Sequence, residues 1–484
     1  MNRKFNWLAT TTGSILAIML LITGAQAATP NSPAANSSTT TLDLSQQNQL
    51  IALSRKKKKR LKPKAKKMAT TTPATTTPTT TTTELTQTTP PPAPPAPTAP
   101  TPVAPPAATP PAEPPKAVAP AFNPFSLTTK LRGEVIFGLT GTVAGDYSRN
   151  TALGQRTRLE LKTDIGGGAL TTRLQAVGFG LFNKNPNAGT NAVSTPEGSL
   201  GWTDGTTNSS IGIDQLKYDL ALSPQTQILV SANASAADDF TDTINPYFDG
   251  GGTDGANGAI SLFGNRPSIY FAVQGAGAAI RHKLSNNTEL SLGYLARNGN
   301  NPAPGNGLFG GGYGALAQLT FQTGENSKVG VTYIRSFNAD FGTGSTNANL
   351  GGISNNYGLQ GSFQLSPQLT LGGWAGYTQN QAAGGNRQIW NWALTAAAPD
   401  FGGKGNLAGF LIGQEPRVTA SSIDPVTGNN TTDTKAGLHI EGFYQVKIND
   451  SLSITPGIIY LTAPNQDANS NGAVIGALRS TFTF

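Results

Sequence analysis

Five carboxylates crowd one Gly/Asn/Asp-rich stretch, residues 233–267: Asp238, Asp239, Asp242, Asp249 and Asp254. Five basic residues come earlier: Arg132, Arg156, Arg158, Lys162 and Arg173. Arg156, Arg158 and Lys162 share one parity, so in an extended strand they point to one face. Fixed charges beside an aqueous path set its ion preference. Acid on a loop facing base on a wall would put a transverse field across that path. The competing reading is a solvated loop with unrelated strand arginines.

Catalytic chemistry finds no comparable support. His282 and His439 lie in separate segments without metal-ligand spacing. The chain has no cysteine, which removes thiol nucleophiles, thiolate metal sites and disulfides together. The run "GNGLFGGGYG" (305–314) lacks the Lys-Ser/Thr of a phosphate loop. We expect no enzyme, no cofactor and no metal. Trp374, Trp390 and Trp392 fall opposite the mainly aliphatic face, where they would line a slide for sugars.

Positive charge is concentrated elsewhere. Residues 28–120 hold eleven Lys/Arg against three Asp/Glu, whereas residues 121–484 hold 21 against 23. The core of the polycation is Arg55, Lys56, Lys57, Lys58, Lys59 and Arg60, opening "RKKKKRLKPKAKK". It suits electrostatic contact with an anionic cell-wall polymer. A solvated, partnerless tail is the alternative.

Three segments organise these residues. Residues 1–27 read as a secretory signal peptide, with Arg3 and Lys4, an apolar run from Ile15 to Ile22, and Ala25-Gln26-Ala27 as the cleavage site. Export excludes a nucleic-acid partner for the polycation. Residues 28–120 are basic and Pro/Thr-rich and cannot bury a core, so they read as a disordered periplasmic tether. In polyproline II at about 3.1 Å per residue, Met68 to Pro120 reaches on the order of 100 Å or more.

From Thr129 to Phe484 apolar and polar residues alternate with period two. Leu438, Ile440, Tyr444, Val446 and Ile448 share one face of a strand, and His439, Glu441, Gln445 and Lys447 the other. Short turns at 165–169, 222–226, 284–288, 323–327, 365–369, 398–406 and 448–452 alternate with longer loops. The longer loops are expected at 144–153, 182–210, 233–267, 298–311, 338–354, 379–387, 414–434 and 463–472. The fold expected for residues 121–484 is all-β: a transmembrane, antiparallel, up-and-down β-barrel of about sixteen strands. A soluble sandwich also alternates, but does not segregate short and long connections.

Two stretches carry a family resemblance. "LRGEVIFGLTG" (131–141), followed by "RTRLELKTDIGGGALTTRLQAVGFG", is similar to the opening of cyanobacterial outer-membrane porins of the carbohydrate-selective (OprB-like) group. The last 48 residues, from "GLHIEGFYQVKIND" to "LRSTFTF", resemble their ending. The resemblance implies a homotrimer in outer-membrane lipid that passes ions and small hydrophilic solutes, with the third long loop narrowing the lumen. It implies that Phe484 is read by the barrel-assembly machinery. Sugar or iron selectivity, or a structural tether from outer membrane to cell wall, are the alternatives. Such porins usually carry an N-terminal S-layer-homology domain, and residues 28–120 have neither the length nor the apolar content for one.

Overall fold

The computed structural model describes residues 126–484 apart from 146, 148–149, 181–195, 205–206, 251–253, 350, 383–384 and 423–429. The signal peptide, the tether and the cluster Arg55–Arg60 lie outside the described residues. Sixteen strands form one closed antiparallel barrel. They are β1 (Thr129–Ala144), β2 (Ala152–Ile165), β3 (Gly168–Gly178), β4 (Ile211–Ser223), β5 (Thr226–Ala236), β6 (Gln274–Lys283), β7 (Thr288–Ala296) and β8 (Tyr313–Gly324). The second half is β9 (Ser327–Phe337), β10 (Ile353–Ser366), β11 (Leu369–Ala382), β12 (Gly385–Pro399), β13 (Leu407–Ser421), β14 (His439–Asn449), β15 (Leu452–Leu461) and β16 (Ala473–Thr483). Each strand pairs with its sequence neighbours, and β1 pairs with β16 to close the ring.

Closure follows from the solvent. Backbone N–H and C=O groups in lipid have no water to bond, so a spanning sheet must have no edge. Alternation then fixes which side chains meet lipid. On β16, Ile475, Arg479 and Thr481 are buried inside, while Leu478 and Phe482 stand exposed outside. Leu139, Leu359, Leu394, Phe410 and Ile458 continue the outer apolar surface. A band of this extent is insoluble in water and matches hydrocarbon. No described helix is long and apolar enough to cross a membrane; the strands make the crossing.

Aromatic rings mark the edges of the band. On the loop-side rim Tyr333, Tyr357, Tyr377 and Trp390 form a continuous row, with centroids 5.4, 6.3 and 4.7 Å apart. Phe321, Phe363 and Phe482 stand toward the turn side. Tyr357 and Phe363 are six residues apart on β10, about 20 Å along a strand at about 3.3 Å per residue. At a strand tilt of about 40° that is about 15 Å of height, which fits within the apolar band of an outer-membrane barrel, about 25 Å tall.

All seven expected turns fall between strands. One expected loop does not form. Residues 379–387 belong almost wholly to β11 and β12, with Ala382 paired to Gly385. Gln379 and Gln381 are polar and exposed because the hairpin rises above the bilayer, and Asn380 points inward, accepting from Arg387 at 3.0 Å; the ladder has not ended. Two other loops shift. The third runs to Val273 rather than residue 267, and the seventh starts only after Ser421.

The third loop is steered inward at its root. A register shift between Ser231 and Ser235 breaks the β5–β6 ladder, and Ala234 there has φ 47°. Gly275, opposite Ser235, has φ 125°, a conformation that favours glycine. A bulge of this kind re-aims the chain.

Candidate functional site

The third loop, 237–273, enters the barrel and is bonded to the wall nearly all round. Asp239 accepts from Gln215 and Lys217 of β4, both at 2.8 Å. Lys328 of β9 reaches Asp242 at 2.5 Å, and the Gln318 side chain of β8 donates to the Asp242 carbonyl at 2.7 Å. The Tyr270 hydroxyl donates to Gln318 at 2.6 Å. On the far wall Arg479 donates to the carbonyls of Gly255, Gly258 and Ala259 at 2.6, 2.8 and 2.9 Å.

One flank of the loop is apolar and meets inward-facing apolar residues. Phe248, Phe263 and Ile260 pack with Trp202, Trp374, Phe443, Ile459 and Ile475. Phe240, Ile269 and Tyr270 pack with Leu295, Leu316 and Ile334. The interior is therefore not uniformly wet, as strand alternation alone suggested. Much of it is a packed core between loop and wall, which holds a segment that would otherwise be floppy.

The remaining flank is charged. Arg158 meets Asp254 at 3.2 Å and donates to Gln175 at 2.6 Å. Arg173 pairs with Asp214 and lies 3.7 Å from Asp254. Arg266, on the loop itself, pairs with Asp238 and with Asp254. Lys217 pairs with Asp239 at 2.8 Å. These side chains are 10–24% exposed, whereas Leu295, Leu316, Phe263 and Ile334 are at 0–1%. Water therefore reaches the charged belt while the apolar side is dry. Arg158, Arg173, Lys217 and Arg266 face Asp214, Asp238, Asp239 and Asp254, so these eight groups are formally neutral; Asp219, 3.5 Å from Lys217 and more exposed, lies at their margin.

The loop carboxylates are not equivalent. Burial pushes Asp238 up to about 6, against the opposing pull of Arg266, with Asp254 and Asp239 adding to the rise. Burial acts the same way on Asp254, but Arg266, Arg158 and Arg173 outweigh it and hold that group well below the usual carboxylate range. Burial opposes the charge on Arg266, and Asp238 and Asp254 more than restore it.

The sequence-derived residues are thus divided. Asp238, Asp239 and Asp254 meet the belt, with Arg158 and Arg173; Arg156 adjoins it, donating to the Asp254 carbonyl at 2.6 Å and pairing with Glu134 at 2.7 Å. Contact is direct, rather than across an open gap. Asp242 and Asp249 instead line a cavity of about 860 Å³ at the turn end, with Tyr247, Glu325, Lys328 and Asp400. Arg132 and Lys162 lie exposed near the turn-side ends of β1 and β2 and do not join the loop. The tryptophan slide is corrected. Only Trp374 points inward, edge-on to Phe263 at 5.4 Å. Trp390 and Trp392 point outward, because β12 directs Ile389, Ala393 and Ala397 into the internal core. Aliphatic character therefore marks the inner face there, and the parity argument inverts.

Residues that sequence reasoning missed are Arg266, Asp214, Lys217, Glu441 and Arg479. Arg266 carried a signal, being the sole basic residue between 237 and 273. His439 is fully buried, with Nδ1 2.6 Å from Glu415 and Nε2 3.5 Å from Glu441. Among the described residues no cluster of three or more His, Cys, Asp or Glu is placed to hold a metal.

Comparison with known proteins adds to this geometry. A family model described as carbohydrate-selective porin, OprB family, matches residues 121–484. A Nostoc protein, "Uncharacterized protein alr4550", is 34% identical over 392 residues, covering 75% of this chain and 66% of that protein. A Synechocystis protein, "Uncharacterized protein sll0772", is 33% identical over 400 residues, covering 74% and 70%. The chain thus spans about two thirds of the length of these relatives. A solved structure of Pseudomonas putida OprB at high pH has a TM-score of 0.50 at 11% identity, covering 74% of this chain and 94% of that one, a likeness of fold.

Proposed function

We propose, from the premise that this chain belongs to the carbohydrate-selective porin, OprB family, that it is an outer-membrane channel for passive diffusion of ions and small hydrophilic solutes. It does no catalysis. One observation carries the reading: charged side chains of the third loop and of β2–β4 keep water contact inside a barrel where apolar packing seals the loop's other flank. Solutes cross past the water-facing side of this paired belt, whose charges replace part of their hydration.

The sugar-selective alternative keeps support from the family's description, but not from a tryptophan slide, since two of its three rings face out. The remaining assignments extend the proposal. The barrel sits in outer-membrane lipid as a homotrimer, residues 28–120 form the periplasmic tether, and Arg55, Lys56, Lys57, Lys58, Lys59 and Arg60 contact an anionic wall polymer. The barrel-assembly machinery reads Phe484.

The mature protein in planar bilayers tests this. Stable, ohmic conductance in steps of three per insertion is expected, and a silent bilayer would overturn the channel reading. Removing residues 28–120 should leave conductance unchanged and abolish low-salt binding to purified peptidoglycan. Unchanged binding would remove the wall contact from the proposal.

A further inference from the structure

The acidic character of the third loop suggests a cation-preferring pore, yet the belt contains its own correction. Between 237 and 273 the loop holds five aspartates and one basic residue, Arg266. That guanidinium is placed between two of them, one Nη on Asp238 and the other on Asp254. Its carbon also lies 5.3 Å from the centre of the Phe271 ring, which holds it in place. Among the other loop carboxylates Lys217 meets Asp239 and Lys328 meets Asp242, while Asp249 lies apart at the turn-end cavity; Arg158 and Arg173 share Asp214 and Asp254.

We propose that Arg266 is the residue that sets the ion preference of this pore, by bringing an acidic loop to charge balance so that the constriction favours neither anions nor cations. The inference rests on the channel reading above and assigns its selectivity. Four positive groups then face four negative ones. Without Arg266 the belt has one uncompensated negative charge within a few ångströms of the path. At low salt a single such charge changes relative permeability by roughly three- to tenfold. The loop arginine differs from the wall arginines in its reach, since among the described residues it is the one cation paired with Asp238.

The measurement is the reversal potential of the full-length mature protein in planar bilayers, under a tenfold KCl gradient at pH 7.5. Wild type is expected near zero. Arg266→Gln should shift it toward cation preference by roughly three- to tenfold in permeability ratio. The double variant Arg266→Gln with Asp238→Asn removes one charge of each sign and should return it toward zero, although the ion pair is still lost. Arg335→Gln, on the outer surface, should not move it. A wild-type pore with strong cation preference would overturn the proposal without needing any variant. So would an unchanged potential in conducting Arg266→Gln channels, or equal shifts in the single and double variants, which would indicate loop loosening instead. A wild type that conducts nothing sinks the channel reading, a distinguishable failure.

Discussion

Glu441 on β14 accepts the backbone N–H of Ile260 at 2.6 Å, joining residues 181 positions apart. The same carboxylate takes the Ser261 hydroxyl. On its other side lies His439, which reaches on to Glu415, and Glu415 accepts the Gly344 N–H at 3.0 Å. One buried carboxylate–imidazole–carboxylate row therefore ties the third loop, β13, β14 and the loop before β10 into one unit.

Removing the bolt should release the loop. Glu441→Ala strands two donors of the loop and leaves His439 with one carboxylate, and breaking a buried pair this way costs about 3–5 kcal/mol. We expect a lower melting temperature in detergent and rapid current fluctuations in bilayers. Glu441→Gln keeps an acceptor and should lose about 1–2 kcal/mol. Quiet, wild-type currents from Glu441→Ala would mean that the loop is held elsewhere.

Selectivity should depend on mild acid. Burial raises Asp238 to about 6, with Arg266, Asp254 and Asp239 facing it and Lys217 beyond on Asp239. Below that pH its carboxyl is neutral while Asp254, held low by its arginines, stays charged. The belt then gains one net positive charge. Reversal potentials at pH 5 should shift toward anion preference relative to pH 7.5, and Asp238→Asn should show the acid behaviour at both. The folded carboxyl binds its proton more tightly than an unfolded one, so this group strengthens the fold as pH falls from 6 toward 4. A pH-independent wild type would remove Asp238 from the selectivity belt.

The two placements of tryptophan predict opposite phenotypes. Trp374→Ala empties space against Phe263 inside the barrel, where an aromatic-to-alanine change costs about 3–5 kcal/mol. Trp390→Ala removes a lipid-side ring at the end of the Tyr333–Tyr377 row and should cost less, about 1 kcal/mol. Neither ring borders the charged belt, so swelling rates of liposomes with small sugars should respond to Trp374→Ala only through loop disorder. A selective loss of sugar flux in Trp390→Ala would contradict its outward placement.

The barrel was legible because alternation is local. A strand such as β16 announces both faces within eleven residues, and turn chemistry such as "LSPQT" marks where the chain reverses. The site was half legible for the opposite reason. Charge type located Asp254 and Arg158, but the partner of Asp238 depended on how a 37-residue loop folds back inside the barrel, which no spacing rule encodes. Apolar packing of loops inside the barrel also inverted the β12 parity, since Ala393 and Ile389 join two cores that third-loop residues help to form, the second together with Phe341 and Ala348 of the loop before β10.

The carboxy terminus separates stability from assembly. Phe484 exchanges both backbone hydrogen bonds with Gly133, N–H to carbonyl at 2.7 and 3.0 Å, and completes the β1–β16 ladder. Its ring covers Gly133 so closely that a Cβ there would meet ring carbons at 2.2 Å. Phe484→Ala keeps the two bonds and exposes the glycine, whereas deleting Phe484 loses both bonds at a rim that water reaches, about 1–3 kcal/mol in all. Refolding into lipid vesicles should therefore be little changed for Phe484→Ala and modestly weaker for the deletion. Surface levels in a living outer membrane should fall severalfold for both, because both remove the aromatic that the assembly machinery is proposed to read. If cellular levels instead follow the vesicle yields, the ring acts only as cover for Gly133.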